Sequence, residues 1–255
     1  MPVLDAVALG LFVAAWLFYE PILKGASGRA GAINTNMTVV RLAWMANMTR
    51  RENRFLDSQL MGHALNSASF FASANLIIIA AAAGALFGGE TTYDSVVGVA
   101  LLDQGPRWLF EVKLALITIA LARGLLDFIW AIRQMNYCLA AMGAAPERGP
   151  RAQLDAYAAA AARLLNPALS SFNAGVRGYY FALAAAAWLL GPWAFMTVTL
   201  GALWLLIWRQ SHSQTAGGIA EIRAILDARK ASGEADTPSP RISDAETLAQ
   251  TEPKA

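Results

Sequence analysis

The residues of this chain that could do chemistry are charged side chains inside long apolar segments. Arg123 and Asp127 lie four residues apart in one such segment, so they share a helix face and can form an ion pair. Arg177, in a later segment, is expected at a similar depth, where Asp127 can bridge it to Arg123. Because a charge inside a bilayer is costly, we expect either an ion cluster that locks two helices together or a site for a substrate or a proton.

Neutral polar residues accompany these charges at the same ends of the apolar segments. Polar groups inside a bilayer must find one another or water. We therefore expect either a pocket that opens to the cytoplasm between the second, third and fourth spans or a closed polar cluster without a cavity. An excess of arginine over aspartate in this region suits an anionic solute or a lipid headgroup. The predicted binding residues are Asn66, Arg123, Asp127, Arg133, Asn136, Tyr137, Asn173, Arg177 and Tyr180.

The composition indicates an integral membrane protein. Of the 255 residues, 56% are hydrophobic and only 15% are charged, whereas a soluble domain carries about a quarter charged residues. The net charge of +2 is too small to indicate a nucleic-acid partner. One cysteine, Cys138, and two distant histidines, His63 and His212, do not make a metal or haem site, so we expect no metal and no cofactor.

The last apolar block runs from Tyr179 to Trp208 and has two interpretations. One helix of this length would measure about 45 Å, whereas a bilayer core of about 30 Å needs only ~20 residues. A helix break at Gly191-Pro192 agrees with the preferences of both residues, because glycine is common where a helix ends and proline is common where a helix begins. The break would also bring Trp188 and Trp193 to one membrane interface, where tryptophan is enriched. We therefore predict a hairpin of two spans.

The predicted fold is an all-α polytopic membrane bundle of five transmembrane helices plus a cytoplasmic amphipathic helix. Basic residues are frequent in the first and third connections, whereas the second connection contains only Arg107. By the positive-inside rule the N-terminus is periplasmic and the C-terminus is cytoplasmic. The membrane domain is 1–210, with spans at about 4–23, 63–87, 108–130, 172–190 and 193–208, followed by a cytoplasmic helical extension at 211–230 and a disordered tail at 231–255.

The first connection is predicted to hold the amphipathic helix, between Asn34 and Leu60. Apolar residues recur there at helical spacing, as at Val40 and Trp44. Such a helix either lies on the inner leaflet or packs on the protein's own cytoplasmic surface. Its basic residues are available to the phosphates of anionic lipids: Arg41, Arg50, Arg51 and Arg54.

Three further local expectations follow from spacing. Gly62, Asn66, Ser69 and Ser73 form a small and polar face on the second span, which indicates a helix-packing face or the lining of a polar path. Lys113 is expected to extend to the outer interface. In the third connection, an alanine-rich helix is expected to stop near Asn166-Pro167.

Four blocks of polar and aromatic residues stand out. They are RRENR at 50–54 with Asp57, SFFAS at 69–73, WAIRQMNY at 130–137, and Phe172-Asn173 through RGYYFALA at 177–184 to Gly191-Pro192. Over about residues 1–210 they resemble a bacterial membrane family known only as domain of unknown function 599. The resemblance implies an inner-membrane protein of several spans and brings no activity and no catalytic residue.

Three functions from different classes are open. The first is a non-catalytic membrane component that self-associates as a homo-oligomer or assembles with a membrane-complex partner. The second is a small channel or transporter that uses the predicted pocket. A membrane enzyme is the weakest, because no nucleophile with a base or metal is recognisable in the sequence. In each case the lipid bilayer, with its anionic lipids, is the expected surrounding partner.

Overall fold

The computed structural model describes residues 2–28, 31–88 and 106–232, and within them every regular element is helical. The predicted tail therefore lies almost wholly outside the described residues, as does most of the second connection. The all-α prediction is confirmed. The helices are α1 (Val3–Leu17), α2 (Tyr19–Ala26), α3 (Ile33–Arg50), α4 (Phe55–Phe87), α5 (Arg107–Gly143), α6 (Arg151–Ala187), α7 (Pro192–Ser211) and α8 (Gln214–Ala231).

Several of these helices are suited to a membrane. Phe55–Phe87, Arg107–Gly143 and the stretch Pro192–Ala231 are long and apolar enough to cross one. The pair Val3–Leu17 and Tyr19–Ala26 makes a fourth candidate if it is counted as one span, although it bends by 62°. The predicted span at 172–190 is not among these candidates, since its part of α6 contains Asn173 and Arg177 and owes much of its apolar character to alanine.

The helices build two layers with different cores. The first, which we call the apolar layer, is formed by α1, α5, α6 and α7 around large side chains such as Phe12, Phe181 and Phe195. The second, the methionine–alanine layer, is formed by α3 and by the parts of α4, α5 and α6 farthest from the apolar layer, and its core contains Met45 and Met135. Small alanines let these helices approach closely, and flexible methionines fill the gaps between them.

The two longest helices, α5 and α6, run through both layers. The predicted stop of the alanine-rich helix near Asn166-Pro167 is wrong, because α6 continues from Arg151 to Ala187 with Pro167 inside it. Proline removes one backbone donor from a helix. Its neighbours Leu165 and Ala168 are fully buried in the methionine–alanine layer, so tertiary packing outweighs this local penalty.

The predicted break at Gly191-Pro192 is present. A 3₁₀ turn, Trp188–Leu190, ends α6; Gly191 takes a φ of 113°, which glycine alone adopts easily; and α7 begins at Pro192. Trp188 stacks on Phe195 with ring centroids 4.8 Å apart, which holds the two helices together beside the turn.

Two expectations for the turn end of the apolar layer are wrong. Trp188 does not present its ring to the membrane: it is fully buried in the bundle, whereas Trp193 is exposed. Lys113 does not extend to the surface: it is buried, with its Nζ atom 5.9 Å from the centre of the Trp188 ring. Packing against α1 and α5 covers this turn and retains both side chains inside the bundle.

The packing of α4 against α5 and α6 also differs from the packing that the small and polar face of the second span predicted. α4 buries Met61, Ala68 and Asn75, whereas Asn66 and Ser73 of the predicted small face are exposed. The close helix approach is made elsewhere, between α5 and α6: a Cβ atom added at Gly178 would lie 3.1 Å from the Cα atom of Gly124. Glycine pairs of this kind permit backbone contact between membrane helices.

Candidate functional site

The nine predicted binding residues do not surround one pocket. Five of them are exposed, one on α4 and four on α5: Asn66, Arg123, Arg133, Asn136 and Tyr137. Two hydrogen-bonded pairs form among the nine residues. Arg123 Nε donates to Asp127 Oδ2 at 3.3 Å, and Arg133 Nη2 donates to the Tyr137 hydroxyl at 3.0 Å.

Aromatic side chains fill the space between α4, α5 and α6 in which the pocket was expected. The cluster consists of Phe71, Phe128, Phe172 and Tyr179. Five of its ring pairs have centroids 5.9 to 6.0 Å apart. The Tyr179 hydroxyl also donates to the Phe71 carbonyl oxygen at 2.8 Å. Such ring pairs are favourable and leave little room for a polar ligand.

Arg177 is paired with α2. Its Nη2 atom lies 2.9 Å from Glu20 Oε1, and its guanidinium carbon lies 4.7 Å from the centre of the Tyr19 ring. The expected bridge from Asp127 to Arg177 is therefore absent from the described residues, in which Asp127 pairs with Arg123 alone. Glu20, which lies directly after the 62° bend between α1 and α2, pairs with Arg177 instead.

A cavity of about 140 Å³ lies beside this Arg177–Glu20 pair, where α2, the start of α3, α6 and the end of α7 meet. A water molecule occupies about 30 Å³ of liquid, so the cavity has room for a few waters or for one phosphate or carboxylate group. Its lining residues are Glu20, Leu23, Lys24, Ser27, Gly28, Gly31, Ala32, Asn34, Thr35, Arg177 and Gln210.

The connection from α2 to α3 forms one wall of the cavity. Gly28 and Gly31 have φ angles of 51° and 71°, in the left-handed region that glycine favours. A Cβ atom at Gly31 would lie 3.1 Å from Asn36 Oδ1, so a larger residue would crowd that amide. Ser27 closes the end of α2 by donating its hydroxyl to the Leu23 carbonyl at 2.7 Å.

A chain of side-chain amides continues from the cavity into α6. Asn34 Nδ2 donates to Ser170 Oγ at 3.1 Å, and Asn34 Oδ1 accepts from Asn173 Nδ2 at 3.3 Å. Asn173 therefore supports a residue that lines the cavity. Tyr180 lies on the neighbouring contact of α6 with α7, where its hydroxyl accepts from Arg209 Nη1 at 2.7 Å.

Two buried oxygen atoms near the cavity have unused hydrogen-bonding capacity. Within the described residues, neither Gln210 Oε1 nor the Tyr19 hydroxyl has a hydrogen-bond partner. A buried polar atom without a partner is costly, which is why such atoms are usually satisfied by protein, water or ligand. Among the described lining residues the ionisable ones are Lys24, Arg177 and Glu20, which together carry a formal charge of one positive unit.

The four basic residues predicted for the membrane surface all have partners in the protein. Arg41 is only 5% exposed and donates from Nη1 to Asn166 Oδ1 at 3.4 Å. Burial lowers the pKa of Arg41 to about 10. Arg41 therefore lies between α3 and α6, inside the protein and not on its lipid-facing surface.

The other three basic residues hold the methionine–alanine layer together. Arg50 lies 2.8 Å from Asp155 Oδ1, and Arg51 pairs with the fully buried Asp57. Arg54 donates to the carbonyl oxygens of residues 145 and 146, at 2.6 and 2.7 Å, and so holds the connection between α5 and α6. The RRENR block with Asp57 is thus a structural corner between α3 and α4.

The described residues contain no group of three or more histidine, cysteine or acidic side chains that could hold a metal ion. Cys138 is buried in the methionine–alanine layer, and burial raises the pKa of its thiol to about 11. Since the thiolate is the reactive form, this cysteine is suited to packing and not to nucleophilic chemistry.

Sequence reasoning missed most of the cavity. Glu20, Lys24 and Gln210 were not selected, although Glu20 is an acidic residue inside the first predicted span and so carried the same signal as Arg123. Only Arg177 of the predicted residues lines the cavity, with Asn173 one hydrogen bond away. The pairing of Glu20 with Arg177 joins residues far apart in the chain, which spacing cannot show.

Comparison with known proteins adds a family and no activity. No curated protein and no solved structure matches the chain. The family model described as "Protein of unknown function, DUF599" matches residues 7–215, which include every described residue that lines the cavity and both layers except the first turn of α1. The chain therefore belongs to the DUF599 family.

Proposed function

We propose that this protein is a non-catalytic, multi-pass membrane protein that binds a small anionic group in the cavity beside Arg177. The observation that carries the proposal is the guanidinium of Arg177, which Glu20 and the Tyr19 ring hold at the wall of a polar cavity. A phosphate or carboxylate matches a guanidinium in charge and in geometry. The lining residues that the structure describes include no histidine or cysteine, which favours binding over covalent chemistry.

The proposed topology has five spans in a bacterial inner membrane, with the N-terminus in the periplasm and the C-terminus in the cytoplasm. Exposed tryptophans support it. Trp108 and Trp193 lie at the starts of α5 and α7. Trp130 lies 22 residues after Trp108 on α5, and Trp208 lies near the end of α7. Tryptophan is enriched at both membrane interfaces, so these two sets are suited to mark the outer and inner surfaces. In this arrangement the cavity is level with the inner leaflet.

The ligand should carry a hydrogen-bond donor beside its anionic group. Lys24 and Arg177 supply positive charge, whereas Gln210 Oε1 needs a donor. A glycerol phosphate group has this combination, since its hydroxyl groups donate and its phosphate accepts. The same chemistry is available from two sources, the headgroup of phosphatidylglycerol in the inner leaflet or a soluble glycerol phosphate in the cytoplasm.

Thermal unfolding of the purified full chain tests the proposal. The protein would be placed in nanodiscs of phosphatidylcholine, with or without phosphatidylglycerol, and separately titrated with glycerol 3-phosphate. A ligand at 100 times its Kd stabilises the folded state by about 2.7 kcal/mol, which raises the Tm measurably. A rise with phosphatidylglycerol alone identifies the lipid, and a rise with the soluble phosphate identifies the cytoplasmic ligand.

The matched variants are Arg177→Gln and Arg163→Gln. Both remove one arginine from α6, but Arg163 is exposed in the methionine–alanine layer, away from the cavity. Arg177→Gln should abolish the ligand-dependent rise in Tm, and Arg163→Gln should retain it. An equal rise in both variants, or no rise with either source in the wild type, contradicts the proposed function.

A further inference from the structure

A charged pair on α5 faces outward at a depth where the proposed topology places lipid. The side chain of Arg123 is 62% exposed and that of Asp127 is 19% exposed. Arg123 precedes Trp130 by seven residues, so at 1.5 Å per residue it lies about 10 Å from that tryptophan, toward the middle of the membrane. Within the described residues, Arg123 has no partner other than Asp127.

Lipid hydrocarbon solvates the exposed Arg123–Asp127 pair poorly. Ionisable residues in membrane helices almost always face the bundle interior or a water-filled space, because hydrocarbon cannot solvate them. Arg123 Nε lies 3.3 Å from Asp127 Oδ2, so its side chain extends along α5 by one helical turn and is held in that pair. The exposed pair therefore requires a protein partner.

We propose that a second copy of this chain covers this face of α5, which we define as Ile119, Arg123, Leu126, Asp127 and Trp130. The pair has one positive and one negative charge, so the face is complementary to itself. Two copies with the same topology are related by a two-fold axis along the membrane normal, so their α5 helices run parallel. Each Arg123 then reaches diagonally, by one helical turn, to Asp127 of the other copy, and both charges gain a second partner. Ile119, Leu126 and Trp130 are exposed on the same face and supply apolar contact around the charges.

The same charges disfavour other occupants. An anionic lipid would be attracted by Arg123 but repelled by Asp127, which lies one helical turn nearer to the inner headgroups. A different membrane protein would have to supply both charges in the matching order, whereas a second copy has them by symmetry. The proposal rests on the membrane placement of α5 and not on the ligand of the cavity.

Disulfide cross-linking of the full chain in native membranes tests the contact. Leu126→Cys places a thiol at the centre of the proposed face. Ile77→Cys is the matched control, because Ile77 is also a highly exposed aliphatic residue but belongs to α4. The wild type gives the baseline, since Cys138 is buried and its thiol resists ionisation. We expect a band at twice 27.2 kDa for Leu126→Cys and none for the control.

Charge reversal distinguishes a specific contact from general aggregation. Arg123→Asp alone and Asp127→Arg alone each place like charges together and should abolish the cross-link. The double variant restores one cation and one anion to each copy and should recover it. Loss of dimer in both single variants with recovery in the double variant supports the proposal.

Each alternative outcome overturns the self-association. No cross-link in the wild-type charge background excludes a second copy on this face. Equal cross-linking of Leu126→Cys and Ile77→Cys shows non-specific collision. A monomer that co-purifies with anionic lipid, or with another protein in fixed stoichiometry, assigns the face to that partner instead. Anion binding at Arg177, measured on the same samples by the shift in Tm, remains a separate result in every case.

Discussion

Trp188 donates a hydrogen bond from Nε1 to Asp5 Oδ1 at 2.7 Å, and both residues are buried. Asp5 belongs to the first turn of α1, and Trp188 to the turn between α6 and α7. One bond thus joins the start of the chain to a hairpin that follows it by more than 180 residues. A carboxylate acceptor makes this bond stronger than one between neutral groups.

Asp5→Ala should destabilise the protein by about 1–3 kcal/mol, because the buried Trp188 N–H loses its acceptor. The measurement is urea or thermal unfolding in mild detergent. Glu111→Ala is the control: Glu111 lies on α5 and forms a solvent-accessible pair with Arg107, which is worth at most ~1 kcal/mol. If the two variants unfold alike, the bond between α1 and the hairpin contributes nothing measurable.

Gly175→Ala should destabilise the contact of α5 with α6. A Cβ atom at residue 175 would lie 2.7 Å from the ring of Phe128, whose own packing in the aromatic cluster limits its movement. Overpacking of this kind costs about 1–3 kcal/mol. Gly62→Ala on α4 is the control, since its Cβ would meet no atom within 4 Å, and alanine there should be neutral or slightly stabilising. A Gly175→Ala protein as stable as the wild type would show that Phe128 moves freely.

Arg41→Met should leave stability at pH 7 unchanged or increase it. Burial lowers the pKa of Arg41 to about 10, so the folded state opposes the charged form. Below about pH 10 the folded protein bears the full cost of the buried charge, and this cost falls as the pH rises above the lowered pKa of Arg41. Methionine retains the aliphatic volume without the charge.

Arg41→Ala is the matched comparison for that prediction. Alanine removes the charge too, but it also leaves a cavity between α3 and α6, so it should destabilise the protein relative to Arg41→Met. Unfolding free energies of the two variants, measured side by side at pH 7, give the difference. A large loss of stability in both variants would mean that the bond from Arg41 to Asn166 outweighs the burial of the charge.

A reporter that is active only in the cytoplasm should be active when it is fused after Arg209. Five spans with a periplasmic N-terminus require this side for the C-terminal end of α7. A fusion after Gly88, at the far end of α4, is the control and should give the opposite result. A fusion after Arg209 that is expressed but inactive would replace the hairpin of two spans with a different topology.

The local course of the backbone could be predicted from the chain alone. The helical class follows from long apolar segments, and the break at Gly191-Pro192 follows from the conformations that glycine and proline favour. These preferences act within a few residues, so they can be recognised without knowledge of the fold. Pro167 marks the limit of this reasoning, because burial of its neighbours in the methionine–alanine layer keeps α6 continuous through it.

Tertiary structure alone decided which polar residues meet. Spacing along the chain predicted Arg177 beside Asp127, but in the structure Glu20, directly after the 62° bend between α1 and α2, pairs with Arg177 beside the cavity. Likewise Arg41 was expected at the lipid surface, and the packing of α3 against α6 buries it. Spacing along a helix determines which side chains share a face, whereas the neighbour that covers the face depends on contacts between residues distant in the chain.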